Sequence, residues 1–120
     1  MIYGIGNDLL EISRMEKSME SERFMAFSFS AAERTLFSDK PVKLEGCFAA
    51  KEALSKALGT GVRGFSLDEI SVLRDELGKP YFVFTGNISK IIESKSLTAH
   101  VALTNSKEYV VANVVLEERI

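Results

Sequence analysis

The chain has 120 residues, of which 46% are hydrophobic and 27% are charged, which predicts one soluble globular domain over residues 1–120. The net charge of −2 gives no general attraction to nucleic acid or to an anionic membrane, so we expect neither as a partner. The lack of a long apolar run, of a basic leader and of any cysteine besides Cys47 predicts a cytoplasmic protein.

The N-terminal segment, residues 2–12, reads as a β-strand that contains two glycines. Gly4 and Gly6 weaken it as a plain strand, and glycines in a strand often mark the close approach of another backbone or of a ligand. Asp8 follows this pair directly. It is either a turn or cap residue or a functional carboxylate, and the residues alone favour the first interpretation.

Short helices are predicted next. Ser13 and Glu16 match the S-x-x-E capping box of one helix, and Ser30 and Glu33 match that of another, which fades near residue 37. Between them lie three aromatic residues that we expect in the core: Phe24, Phe27 and Phe29. The segment is therefore predicted as two short helices joined by an apolar stretch.

A longer helix is predicted over residues 41–58, with Pro41 at its first position and Gly59-Thr60-Gly61 as its stop. At about 100° per residue, one side is apolar and is expected to be buried: Cys47, Ala50, Ala53, Leu54, Ala57 and Leu58. Glu45, Glu52 and Lys56 share the opposite side. Glu52 and Lys56 form an i,i+4 pair, which by itself indicates a solvated salt bridge worth about 0.2–0.5 kcal/mol.

The second half of the chain predicts a β-hairpin of residues 70–75 and 81–84, a helix over residues 88–94 capped by Asn87, and two strands over residues 97–104 and 109–117. This order of elements indicates an α+β domain with a small, mainly antiparallel sheet packed on the long helix. A small sheet leaves open edges, which short chains often cover by forming oligomers.

Four motifs occur in a fixed order along these elements: Gly4-Ile5-Gly6-Asn7-Asp8, Phe48-Ala49-Ala50-Lys51-Glu52-Ala53 with Lys56-Ala57, Gly59-Thr60-Gly61, and Gly78-Lys79-Pro80. Together they resemble the holo-[acyl-carrier-protein] synthases, 4′-phosphopantetheinyl transferases of the short bacterial type, over nearly the whole chain. The resemblance implies that family's fold and the transfer of 4′-phosphopantetheine from coenzyme A to a serine of apo-acyl carrier protein, which releases adenosine 3′,5′-bisphosphate. It implies a Mg²⁺-dependent enzyme of fatty acid biosynthesis.

The resemblance also implies roles for single residues. Asp8 and Glu52 become the ligands of Mg²⁺, an ion that usually takes one or two carboxylates together with waters and phosphate oxygens. With Lys56, which is placed to contact the cleaved phosphate, they are the implied catalytic residues. A metal-bound water, or Glu52 acting through it, is the candidate to take the serine proton. The implied contacts to coenzyme A are Lys56, Gly59, Gly61, Lys79, Pro80 and Asn105, although a plain helix stop explains Gly59 equally well.

The same resemblance implies partners. Acyl carrier protein presents an acidic helix beside its acceptor serine, and the implied docking surface consists of Arg14, Lys17 and Arg23. The alternative is a solvated helix of mixed charge. Met15 and Met19 could add apolar contacts, because methionine adapts to varied surfaces. The family also implies a homotrimer with sites at subunit interfaces, where one subunit gives the metal ligands and a neighbour lines the nucleotide cleft.

Two positions depart from the family pattern. Cys47 stands where the family often has an arginine that helps to hold the nucleotide phosphate, and Asn105 stands where it usually has a histidine. His100, the only histidine, is predicted to be a surface strand residue. Losing one charge-assisted contact costs about 1.5–3 kcal/mol, so we expect weaker coenzyme A binding than is usual in the family. The alternative function is a non-catalytic protein of this fold that binds coenzyme A or the carrier protein.

Overall fold

The computed structural model describes all residues from Met1 to Ile120. A single turn of 3₁₀ helix at Leu67–Glu69 is the only regular element outside the main helices and strands. In chain order the main helices and strands are β1 (Ile2–Glu11), α1 (Ile12–Ser18), α2 (Glu22–Ser28), α3 (Ala31–Leu36), α4 (Pro41–Leu58), β2 (Ile70–Arg74), β3 (Pro80–Phe84), α5 (Gly86–Ser94), β4 (Leu97–Asn105) and β5 (Tyr109–Glu118).

Two antiparallel sheets form the β part of the fold. β5 lies between β1 and β4 in a three-stranded sheet, and β2 pairs with β3 in a two-stranded one. α4 lies against β1 and β5 and supplies much of the hydrophobic core. The predicted α+β fold is thus confirmed, although the strands divide between two sheets. None of the helices combines the length and the apolar character that crossing a bilayer needs.

β1 approaches α4 so closely that its two glycines have no room for side chains. A Cβ on Gly4 would overlap the carbonyl oxygen of Ala57, and a Cβ on Gly6 would lie 2.6 Å from the amide nitrogen of Ala57. The predicted close approach is confirmed, and the second backbone is that of α4. Because side chains alternate along a strand, Asp8 shares the face of Gly6 and is held against the same helix.

Most of α4 is buried. The apolar side predicted for it is confirmed, since all six of its residues are buried: Cys47, Ala50, Ala53, Leu54, Ala57 and Leu58. Glu45, which was placed on the side opposite this buried one, is buried as well. Its carboxylate is fully buried, and neither oxygen has a hydrogen-bond partner.

A buried ion pair joins α3, α4 and β2. Lys51 Nζ donates to Glu33 Oε1 at 2.7 Å and to the carbonyl oxygens of Ser28 and Leu67 at 2.8 and 2.9 Å. Glu33 Oε2 accepts a hydrogen bond from the Val72 amide at 2.8 Å. Burying a charge is tolerable only when it is fully paired in this way. The network therefore fixes the rotation of α4 and, with it, the direction in which the next residue, Glu52, projects.

Several local predictions need correction near the N-terminus. α1 begins at Ile12 without a side-chain cap, and the Ser13 hydroxyl donates to the Glu11 carboxylate at 3.1 Å. α2 has no counterpart among the predicted elements, and Ser21 caps it. Phe27 is 61% exposed on α2, so the expectation that it belongs to the core is wrong.

The helix caps further along the chain show where local patterns suffice. The capping box of Ser30 and Glu33 on α3 is confirmed. α5 begins before Asn87, whose side chain does not cap it. Instead, the Glu69 carboxylate accepts a hydrogen bond from the Ile88 amide at 3.3 Å. This cap comes from a distant part of the chain, so no pattern of neighbouring residues indicates it.

Candidate active site

Three of the predicted site residues meet where β1 crosses α4. Lys56 Nζ donates to Asp8 Oδ1 at 3.2 Å, across 48 positions of sequence. Glu52 lies one helical turn before Lys56 and lines the same cavity as Asp8. The fold therefore brings together two carboxylates and an ammonium group that the sequence keeps far apart.

The two carboxylates repel each other in a partly buried setting. The side chain of Asp8 is only 17% exposed. Burial raises the pKa of Glu52, and the negative charge of Asp8 raises it further, while the Lys56 ammonium acts in the opposite direction. A pair of like charges that perturbs a pKa in this way accumulates negative potential, which a bound cation relieves.

This donor set suits a hard divalent cation. No group of three His, Cys, Asp or Glu side chains is placed to hold a metal ion. Mg²⁺ commonly has only one or two carboxylate ligands in proteins and completes its shell with waters and phosphate oxygens of a substrate. The repelling pair of Asp8 and Glu52 therefore fits a Mg²⁺ ion that binds together with a phosphate-bearing ligand.

A cavity of about 520 Å³ opens beside these carboxylates. Arg14 lines it together with Asp8 and Glu52. Most of the remaining wall is apolar: Leu9, Leu10, Met15, Phe24, Phe48 and Tyr109. A cavity that has both charged and apolar lining suits a ligand with a phosphate group and an uncharged chain.

The other predicted docking residues lie outside this cavity. Lys17 on α1 and Arg23 on α2 are exposed. Met15 packs in the core, so of the two methionines only the half-buried Met19 is available to a partner. Of the basic residues predicted to dock the carrier protein, Arg14 is the one that adjoins the carboxylates.

The predicted contacts to coenzyme A fall into two groups, and the first follows the C-terminus of α4. Gly59 and Gly61 both have positive φ, 83° and 68°. A Cβ at either position would meet nothing within 4 Å. Both glycines permit a left-handed turn of the backbone, and neither packs against another element of this chain.

The second group lies near the other end of α4. Pro80, which follows Lys79, pairs with Arg74 across the β2–β3 hairpin, and Arg74 lines a cavity together with Asn105 and Gly46. At about 1.5 Å per residue, positions 46 and 59 are about 20 Å apart along the helix. The two groups of predicted contacts therefore lie toward opposite ends of α4.

The residues that depart from the family pattern have different settings. Cys47 is buried, and its thiol donates to the Val72 carbonyl oxygen at 3.4 Å. Asn105 is exposed at the end of β4, where its amide donates to the Ser106 carbonyl oxygen at 3.4 Å. His100 Nε2 lies 3.0 Å from Glu117 Oε1 on the surface, which confirms the prediction for this histidine.

Known proteins resemble this chain over nearly its whole length. Residues 4–114 match the 4′-phosphopantetheinyl transferase superfamily. A holo-[acyl-carrier-protein] synthase of Clostridium beijerinckii is 44% identical, with 98% of each chain covered. One of Fusobacterium nucleatum is 39% identical, with 97% of this chain and 99% of that protein covered.

Solved structures show the same likeness. The holo-[acyl-carrier-protein] synthase of Neisseria meningitidis has a TM-score of 0.89 at 35% identity, covering 98% of this chain and 100% of that chain. The one from Bacillus anthracis, in complex with CoA (3′,5′-ADP), has a TM-score of 0.84 at 35% identity, covering 99% of each chain. This chain therefore belongs to the holo-[acyl-carrier-protein] synthases, a family of transferase enzymes within the 4′-phosphopantetheinyl transferase superfamily.

Proposed function

We propose that the protein transfers 4′-phosphopantetheine from coenzyme A to a serine of apo-acyl carrier protein in the cytoplasm and releases adenosine 3′,5′-bisphosphate. The observation that carries the proposal is that Asp8 and Glu52 line one cavity while Lys56, one helical turn after Glu52, is hydrogen-bonded to Asp8. The relative from Bacillus anthracis, which is in complex with CoA (3′,5′-ADP), supports a nucleotide of this kind as the ligand. Supply of holo-acyl carrier protein to fatty acid biosynthesis follows from the same reaction.

Asp8 and Glu52 are proposed to hold Mg²⁺. When bound, this ion would neutralise charge on the diphosphate oxygens, which is the main requirement of phosphoryl transfer. The protein's own contribution is to fix the two carboxylates on stiff elements, a strand and a long helix. Their mutual repulsion favours a cation between them over an empty pair.

Lys56 and Glu52 are proposed to act on the reacting groups. The Lys56 ammonium, about half of whose side chain is exposed, can bind Asp8 in the free enzyme and a phosphate oxygen in the complex. Glu52 would accept the serine proton, because burial and Asp8 make its carboxylate more basic than an ordinary glutamate. The serine oxygen then bonds to the phosphorus that carries pantetheine, and the bond from that phosphorus to the nucleotide breaks.

Gly59 and Gly61 are proposed to let the loop backbone approach the nucleotide, while Lys79, Pro80 and Asn105 contact it from the opposite end of α4. As these groups are about 20 Å apart, the proposal needs two chains at each site. A homotrimer with sites at its interfaces meets this need.

The apolar part of the cavity beside Glu52 is proposed to take the pantetheine arm. Phe24 and Phe48 form an aromatic wall there, with ring centroids 5.6 Å apart. Arg14 stands at the same cavity, so an acidic helix bound to it would bring its neighbouring serine to the carboxylates. Lys17 and Arg23 would extend this docking surface and act mainly on the association rate.

Mass spectrometry tests the proposal. The protein is incubated with a bacterial apo-acyl carrier protein, coenzyme A and Mg²⁺, and we expect the carrier to gain one phosphopantetheine group. Omitting Mg²⁺ or adding EDTA should abolish the gain. A protein that binds coenzyme A or the carrier but never modifies it would overturn the proposal in favour of the non-catalytic alternative.

A further inference from the structure

The cavity near the N-terminus of α4 is strongly cationic. It has a volume of about 360 Å³, and its lining includes Lys40, Lys43 and Arg74 but no carboxylate. Lys40 is paired with Asp39 at 3.4 Å, whereas neither Lys43 nor Arg74 takes part in a salt bridge. Two unpaired cations at one cavity favour an anionic ligand.

Arg74 is held so that part of its guanidinium stays free. Nη1 donates to the Gly78 carbonyl oxygen at 3.1 Å, which ties the side chain to the hairpin turn. Nη2 lies 4.0 Å from the position that a Cβ would take on Gly46 and has no hydrogen-bond acceptor. The absence of a side chain at Gly46 thus leaves open space in front of this nitrogen.

The chemistry of coenzyme A limits which anion this is. Coenzyme A carries a diphosphate, which reacts, and a separate phosphate on its ribose. Under the proposed function the diphosphate must lie with Asp8, Glu52 and Lys56. The ribose phosphate is then the group that remains for a second cationic cavity, supplied by another subunit.

Cys47 does not provide the cationic contact that the family pattern places at its position. Its thiol faces the Val72 carbonyl oxygen in the interior and carries no charge there, because burial raises its pKa. Arg74 approaches the same turn of α4 from β2 and reaches the neighbouring residue, Gly46.

We propose that Arg74, aided by Lys43, supplies to the ribose phosphate of coenzyme A the cationic contact that the family pattern places at position 47 and that Cys47 cannot give. The inference rests on the proposed function and names the residues that recognise one part of its substrate. It also removes the reason to expect unusually weak coenzyme A binding. An arginine fork can give a phosphate two hydrogen bonds, so one side chain can replace another that comes from a different element.

Calorimetric binding with Mg²⁺ present and no carrier protein tests this, with coenzyme A and 3′-dephospho-coenzyme A as the two probes. We expect Arg74→Gln to weaken coenzyme A binding by about 10- to 100-fold and to leave the dephospho form within twofold of the wild type. In the transfer assay the variant should raise KM for coenzyme A and keep kcat at saturation, since the contact is away from the reacting atoms.

Arg119→Gln is the matched control, because Arg119 pairs with Glu93 on the surface and lines neither cavity. Arg74→Lys should recover part of the affinity for coenzyme A. An equal loss of affinity for both probes would mean that Arg74 only secures the hairpin turn. This result would overturn the role inferred for Arg74 and leave the proposed function standing. A wild-type protein that binds neither probe would overturn the proposed function as well.

Discussion

At the scale of single residues, Asp8 and Glu52 form a pair that is unfavourable without a cation. Because the pKa of Glu52 is raised, its ionised form destabilises the folded state, and this contribution is largest above that raised pKa. Glu52→Gln should therefore reduce transfer by at least about 100-fold, while the free energy of unfolding at pH 8 stays equal or rises. Transfer assays and urea denaturation measure the two effects.

The matched control for this variant is Glu93→Gln, because the Glu93 side chain is 67% exposed and lies away from the site. It should leave transfer unchanged. Calorimetric titration of Mg²⁺ with coenzyme A present should show weaker metal binding for Glu52→Gln and for Asp8→Asn. If Glu52→Gln transfers phosphopantetheine at the wild-type rate, the assigned role of this carboxylate is wrong.

Glu45 offers a second prediction at this scale, about stability alone. Burial raises its pKa from 4.5 to about 7, and the nearby Glu16 adds to the shift. The folded chain holds this proton more tightly than the unfolded chain does. The stabilising contribution is therefore complete below pH 4.5 and is lost as the pH rises to about 7.

Glu45→Gln is neutral at every pH, so it should stabilise the protein by about 1–3 kcal/mol at pH 8 and change little at pH 4.5. Urea denaturation at both pH values measures the difference. Glu16→Gln should give a smaller gain in the free energy of unfolding at pH 8, because it removes only the lesser of the two causes that raise the pKa of Glu45. A gain that is equal at the two pH values would show that ionisation of Glu45 is not its source.

At the scale of elements, the contact between β1 and α4 sets the position of Asp8. Gly6→Ala would press a methyl group into the backbone of α4 and should destabilise the fold by about 1–3 kcal/mol or more. Gly46→Ala is the matched control, since its Cβ would meet the nearest atom, Leu103 Cδ1, at an ordinary 3.4 Å. We expect it to be neutral or stabilising by up to about 1 kcal/mol. Thermal unfolding separates the two, and equal melting temperatures would contradict this account.

The sequence predicted those elements whose signals are local. The bounds of α4 follow from Pro41 and Gly59, and the capping box of α3 needs only four consecutive residues. The sequence did not predict the burial of Glu45 and Lys51, because helical periodicity states which residues share a side and not what covers that side. Lys51 is buried because Glu33, from another helix, meets it.

In the candidate site, too, the sequence predicted the residues of local motifs but not the contacts that depend on the fold. Asp8, Glu52 and Lys56 were predicted by resemblance, and their meeting depends on strand β1 and helix α4 packing together. Arg74 belongs to no motif that was singled out, and only the fold brings it beside Gly46 and Asn105. The apolar wall of Phe24 and Phe48 likewise comes from two helices that are not adjacent in sequence.

At the scale of the whole molecule, one face of the three-stranded sheet packs on α4 and the other is uncovered. Ile5 and Leu9 on this outer face are 71% and 65% exposed, and Val115 and Val111 stand opposite them on β5. An apolar sheet face without a covering layer favours association with another surface. Copies of the same chain would provide this covering surface. They would also bring the nucleotide contacts after α4, Gly59 and Gly61, close to those near its other end, Pro80 and Asn105.

Sedimentation and transfer assays with Ile5→Asp test this assembly. The wild type should sediment at three times the chain mass of 13.3 kDa. A carboxylate on the uncovered face should give a monomer with unchanged circular dichroism and little or no transfer, because each monomer keeps Asp8 and Glu52 but loses the neighbour's nucleotide contacts. Leu36→Asp, which changes an exposed leucine on α3, should remain trimeric and active. A monomeric Ile5→Asp protein with full activity would show that one chain forms the complete site.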